Sequence, residues 1–206
     1  IFDDEAVSDA SRREIVRRYY QAMCDLRTGR GEESAVAKIE LLMNKAEITV
    51  DINPTVAASL RKAEETGMPA VAIELPDGQV ITGKTSSLLG ASSAALLNAL
   101  KVLAGLDDSL HLIAPEVIEP IQHLKISHLG NHNPRLHTDE TLIALSISAV
   151  TDPNAERAME HLAELSGCDA HSTVILSQVD TDVFRKLGVN MSCEPRYQTK
   201  KLYHKR

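Results

Sequence analysis

The sequence predicts an α/β fold. Short β-type runs alternate with helical periods from residue 48 onward, a hairpin signal stands at Val71–Thr82, and Ser172–Cys193 reads as strand, helix, strand. A helical segment, 1–47, precedes the α/β region, 48–195, and 196–206 forms a basic tail.

In chain order, Ser8 or Asp9 can cap a helix through Leu26 that ends near Gly29, with Ile15, Tyr19 and Ala22 on one face. Arg12, Arg13, Arg17 and Arg18 cover much of the other side, where Asp3, Asp4, Glu5 and Glu14 can answer them. A second helix, Glu33–Lys45, turns Val36, Ile39, Leu42 and Met43 inward, and the two antiparallel helices read as a small subdomain. Asn53-Pro54 opens a third helix, with a capping side chain and a proline at its first position, and Gly67 closes it. Val71–Leu75, the turn Pro76-Asp77-Gly78 and Gln79–Thr82 make the hairpin.

Ser86 or Ser87 leads into an apolar helix through Ala104, and Leu110–Ile113 reads as a short strand. Pro115 and Pro120 cannot both occupy the first position of one helix, so a turn is expected first and a helix from near Glu119. Asn131–Glu140 is a polar loop, and Thr141–Val150 is uncharged and apolar on nearly every side, the pattern of a buried helix. Asp152-Pro153 caps another helix, with Ala155, Met159, Leu162 and Leu165 inward and Gly167 at its end. Ser172–Leu176 is a strand, Asp180–Leu187 a helix and Val189–Cys193 a strand, which together fit a parallel crossover.

Composition bounds the function. The chain has 206 residues, enough for one sizeable core. A net charge of −7 with 3% aromatic residues argues against a nucleic-acid partner or an anionic membrane surface. The most apolar run, Ala94–Leu106, is broken by Asn98 and Lys101, so no segment spans a membrane, and no signal peptide is visible. Cys24, Cys168 and Cys193, an odd number at unrelated spacings, suit a reducing, cytoplasmic compartment. The chain starts at Ile1, without an initiator methionine, and reads as a piece of something longer. Its tail carries Arg196, Lys200, Lys201, Lys205 and Arg206 and no acid, which describes either a basic arm for an anionic partner or a poorly ordered, solvated terminus.

Three patterns could carry chemistry. Gly78–Thr85 fits the Walker A expression, but that motif needs a loop between strand and helix, and here Gly78 belongs to a hairpin turn. What survives is Lys84, Thr85 and Ser86 ahead of a helix start, where anions bind. His137-Thr138-Asp139 with Cys168-Asp169-Ala170-His171 resembles the zinc deaminase arrangement, with His137, Cys168 and His171 as ligands and Asp139 or Glu140 as proton shuttle. Against zinc stand the missing proline, the histidine in place of a second cysteine, and a Cys168 that follows a helix instead of opening one. In the third pattern, Arg135 on the Asn133-Pro134 loop can clamp a carboxylate or phosphate, or cap a helix end.

Longer strings carry a resemblance. They are the run from Asp3 to Ile15, Leu75–Gly78, Ala114–Gln122, Asn133–Leu136 followed by Leu142–Ala149, and Gly167–His171. The chain resembles, over nearly its whole length, the carboxy-terminal part of a bacterial family known as domain of unknown function number eighteen forty-six. The resemblance implies members more than twice as long, whose amino-terminal part has a glycine-rich loop that looks nucleotide-binding. It also implies a helical subdomain followed by a three-layer α/β sandwich of cytidine-deaminase-like topology, with no assigned activity. Members carry an acid at the place of His137 and an Asn at that of Thr85, whereas Lys84, Asn133, Pro134, Arg135, Glu140, Cys168 and His171 match.

Three readings follow. In the first, the chain is the α/β half of a small-molecule enzyme, with Arg135, Glu140, His171 and Lys84 facing an anionic or nucleotide ligand. In the second it is a metal-dependent hydrolase or deaminase. In the third, the helix after Gly90, with its small residues, packs a homo-oligomer and nothing is catalysed.

Overall fold

The computed structural model describes residues 4–198, with side chains from residue 8 onward. The helices are α1 (Asp4–Arg27), α2 (Glu33–Lys45), α3 (Pro54–Thr66), α4 (Ala91–Leu103), α5 (Pro115–His123), α6 (Thr138–Ser148), α7 (Pro153–Glu160) and α8 (Gln178–Lys186). The strands are β1 (Ala70–Glu74), β2 (Val80–Lys84), β3 (Asp169–Ser172) and β4 (Asn190–Cys193). Local signals act as predicted at α3, where the Asn53 side chain accepts from the Thr55 amide and Gly67 closes the helix at φ 66°.

The strands form one mixed sheet in the order β2-β1-β3-β4. β1 is antiparallel to β2 and β3, and β3 is parallel to β4 through α8, the crossover the sequence predicts. Side chains alternate between faces along each strand, and the register pairs Ile73 with Ala170 and Ala72 with His171. One face therefore presents Val71, Ile73 and Ala170 to a core with Leu96 and Leu100 of α4, Leu145 of α6 and Phe184 of α8. On the other face lies a smaller core with Val16 and Tyr20 of α1, Met43 of α2 and Val56 of α3. The Tyr20 ring sits 4.6 Å from the His171 ring, centroid to centroid. Arg13 fastens α1 to the far end of the sheet through Glu74 and Asp169.

Several expectations are corrected. Leu110–Ile113 is not a strand: Leu112 and Ile113 are buried in a loop, plugging the core beside α4. The helix expected near Glu119 begins at Pro115 and keeps Pro120 in its interior, then widens into a π-helical turn at Leu124–His128. Pro120 has no amide to give the i−4 carbonyl, yet it does not break the helix, because Ile118 and its neighbours dock it on the core. The helix expected from Ser86 starts at Ala91, and the one expected to run to Gly167 is divided between α7 and a 3-10 turn, Leu162–Leu165. β3 lies earlier than Ser172–Leu176, because the Ser172 hydroxyl bonds the Val174 carbonyl and turns the chain out of the sheet.

α6 is not buried all round. Thr138, Thr141, Ala144 and Leu145 face the core, whereas Ile143, Ile147 and Val150 form an exposed apolar stripe. The small residues after Gly90 are not free for self-association either: Ala91, Ser92, Ser93 and Ala95 are buried within the fold. The tail beyond Gln198 lies outside the described residues.

Gly83 shows how tightly α4 lies on β2. A Cβ at that position would sit 2.1 Å from the Ala95 amide nitrogen, inside backbone that cannot yield. We expect Gly83→Ala to destabilise the fold by about 3 kcal/mol, the upper range for overpacking. Urea unfolding checks it, and a wild-type midpoint would contradict the contact.

Candidate functional site

Two cavities open where the parallel strands β3 and β4 end, the side of an α/β sheet on which ligands usually bind. Both are lined by Ile175, Leu176 and Ser177. The smaller, of about 260 Å³, is enclosed by the start of α4, the Asn133–His137 loop and the head of α8. The larger, of about 600 Å³, lies between α1, α8 and β4.

The loop of the smaller cavity is pinned at every step. Leu136 is buried and makes a parallel bridge to Leu89; its amide donates to the Leu88 carbonyl, and its own carbonyl accepts from the Gly90 amide and the Ser93 hydroxyl. Arg135 Nε donates to the Ser86 carbonyl at 2.6 Å, and the Asn133 side chain accepts from the Arg135 amide. Beneath the loop, the buried Lys125 ammonium donates to the Arg135 carbonyl and to Glu140 Oε2, each at 2.6 Å. The same Glu140 oxygen accepts from the His137 amide, half of a capping box for α6.

Asp180 completes the arrangement. Its carboxylate accepts from the Thr138 amide (2.9 Å), the Thr138 hydroxyl (3.0 Å) and the Ser177 hydroxyl (2.7 Å), and lies 3.0 Å from His137 Nδ1. Burial opposes its charge most, but the His137 bond and the Thr138 amide prevail and hold the carboxyl below the usual aspartate range. The Asp180 hydrogen bond in turn raises His137 above the ordinary histidine value, against burial and the Lys125 charge. Facing a carboxylate, Nδ1 carries the proton, so the ring is oriented with Nε2 as its second polar atom.

Other expected site residues are scattered. Thr85, Asn133, Arg135 and His137 line the smaller cavity together. Lys84 is exposed at the end of the edge strand β2, and Ser86 turns its hydroxyl to the Leu88 and Leu89 amides. Asp139 accepts from the Glu140 amide, and Glu140 is tied to Lys125. Cys168 lies beside Glu74 and Asp169 at the opposite end of β3, and its thiol faces the Glu164 carbonyl. His171 is fully buried on the α1 face, between Ser192 and Glu194.

The expected metal set is thereby corrected: His137, Cys168 and His171 do not meet. Cys168 and the strand ends differ by the length of β3, about 13 Å for four residues. Among the described residues no three His, Cys, Asp or Glu side chains are grouped to hold a metal. The expected convergence of Arg135, Glu140, His171 and Lys84 on one ligand fails likewise, and of the four only Arg135 reaches the smaller cavity. Sequence reasoning missed Lys125, Ser177 and Asp180. Ser177-x-x-Asp180 is a capping-box pattern that could have been noticed, but nothing local marks Lys125 as buried.

The Asp180 bonds set a pH window. A depressed carboxyl contributes stability above its unfolded pKa, ordinarily 3.8, that is lost as pH falls through the folded value. A raised histidine contributes stability below its unfolded pKa, ordinarily 6.5, that is lost as pH rises through the folded value. We expect Asp180→Ala to destabilise by about 3 kcal/mol, as breaking a buried pair does, and most between those two values. Urea unfolding across pH checks it, with a pH-independent difference counting against the pair.

Comparison with known proteins agrees with the resemblance of the sequence. Residues 51–203 match the family model described as "Domain of unknown function DUF1846, C-terminal", and residues 1–47 match its N-terminal counterpart. UPF0371 proteins of Streptococcus pyogenes serotype M5 (strain Manfredo) and serotype M1 are each 53% identical over 205 residues. A UPF0371 protein of Streptococcus thermophilus (strain ATCC BAA-250 / LMG 18311) is 54% identical over 205 residues. All of this chain is covered in each case, and it spans 42% of each relative's length.

Proposed function

Since the chain belongs to the DUF1846 family, for which no activity is indicated, we propose from the site alone that it binds a small anionic metabolite in the smaller cavity and acts on it. One observation carries this reading: Arg135, His137 and the first turn of α4 converge on a single enclosed space at the strand ends. Arg135 supplies a permanent charge whose Nε is already anchored, leaving the rest of the fork for a carboxylate or phosphate. The α4 amides at Ala91 and Ser92, which no intrahelical carbonyl reaches, add donors of the same sign preference. His137, oriented by Asp180, offers Nε2 as the acid or base.

A volume of about 260 Å³ falls below the usual range for whole drug-sized ligands, so this cavity fits the anionic head of a metabolite. In the longer relatives, the remainder of the ligand would meet the region preceding this one, where the family resemblance implies a nucleotide-binding loop. Three free thiols suit work in the reducing cytoplasm.

Thermal shift with inorganic phosphate tests the reading. Ligand at 100 times its Kd should stabilise the chain by about 2.7 kcal/mol. Arg135→Ala should abolish the shift. The effect should also fade as pH rises through the raised His137 pKa, because the imidazolium that attracts the anion is lost. An unchanged shift in Arg135→Ala would refute the assignment.

A further inference from the structure

The larger cavity has chemistry of its own, independent of the anion site. His171 in β3 and Ser192 in β4 are direct partners in the parallel register, so their side chains leave the sheet on the same face. His171 Nδ1 lies 2.8 Å from Ser192 Oγ, and Nε2 lies 3.3 Å from Glu194 Oε1. The ring is fully buried and packed against Tyr20, so it is held in that orientation. The His171 hydrogen bond, above all, keeps the Glu194 carboxyl below the usual glutamate range, against its burial. A carboxylate facing Nε2 draws the ring proton there, which leaves Nδ1 to accept from the Ser192 hydroxyl. The competing acceptor, the Ala170 carbonyl, is farther from Oγ, at 3.2 Å.

Nucleophile, base and orienting acid thus stand in the order that activates a hydroxyl. Ser192 lines the larger cavity, whose volume of about 600 Å³ is ordinary for a small-molecule site. Tyr20, Leu176 and Met191 give that cavity an apolar wall. Gln178 and Thr181 bring the head of α8 to it as well.

We propose that Ser192 is a nucleophile for carboxylic esters held in the larger cavity, with His171 as its base and Glu194 as a positioning residue. Ser192 Oγ bonds to the ester carbonyl carbon while its proton passes to His171 Nδ1. The tetrahedral intermediate collapses by breaking the carbon–oxygen bond to the alcohol, which leaves with that proton. Water then adds to the acyl-serine, giving its proton to His171, and collapse releases the acid and returns the proton to Ser192. The sum is ester plus water to acid plus alcohol, with no redox change.

The test is covalent labelling of the full chain with a fluorophosphonate probe, read by intact mass and peptide mapping. The expected result is one adduct, on Ser192, that is absent in Ser192→Ala. Glu194→Gln, shown folded by circular dichroism, should label slower by on the order of a hundredfold, with a displaced pH profile. A folded wild type that takes no probe on Ser192 overturns the proposal, as does a Glu194→Gln rate and pH profile equal to wild type.

Discussion

One carboxylate, that of Asp180, holds together the side of the molecule where the parallel strands end. A buried charge is tolerated only when hydrogen bonds replace the water it gave up. Asp180 finds them in the Thr138 amide and hydroxyl, the Ser177 hydroxyl and the His137 ring. These groups belong to the starts of two helices far apart in the chain, so one residue satisfies an otherwise orphaned amide of α6, braces the cap of α8 and aims an imidazole. Lys125 does a related task below, neutralising Glu140 and bonding the loop carbonyl at Arg135. The loop is irregular in backbone yet held by these bonds and by that of Arg135 to Ser86.

The second determinant is the alternation of the sheet. Ala170 and His171 are neighbours in sequence but leave β3 on opposite faces, one into the α4–α8 core and the other under Tyr20. Cys168 and His171, three positions apart, would share a face on a helix, whereas along a strand they are separated by about 10 Å. The zinc arrangement therefore disappears once this segment is a strand. The same geometry creates a different grouping, because parallel pairing with β4 sets Ser192 beside His171. The smaller cavity is lined by His137 and Asp180, whereas His171 and Glu194 lie behind Ser192, which lines the larger one.

Local chemistry was legible in the sequence wherever short-range forces decide. Asn53-Pro54 and Gly67 bound α3, Pro76-Asp77-Gly78 makes the hairpin turn, and the strand–helix–strand order at the end gives the parallel crossover. The polar loop before α6 was legible too, and Thr85, Asn133, Arg135 and His137 do share a cavity. What misled was apolar content read as burial or as strand. Leu112 and Ile113 are buried without strand pairing, and α6 exposes Ile143 and Ile147 although nothing in its composition separates its faces.

The sequence by itself determined the α/β class, the family, most helix limits and the loop that carries Arg135 and His137, because caps, turns and periodicity act between residues a few positions apart. Only the tertiary structure decided which charges meet. Asp180 reaches Thr138, Glu194 reaches His171 and Lys125 reaches Glu140 across gaps that sheet register and helix packing close, and no local pattern encodes those pairings.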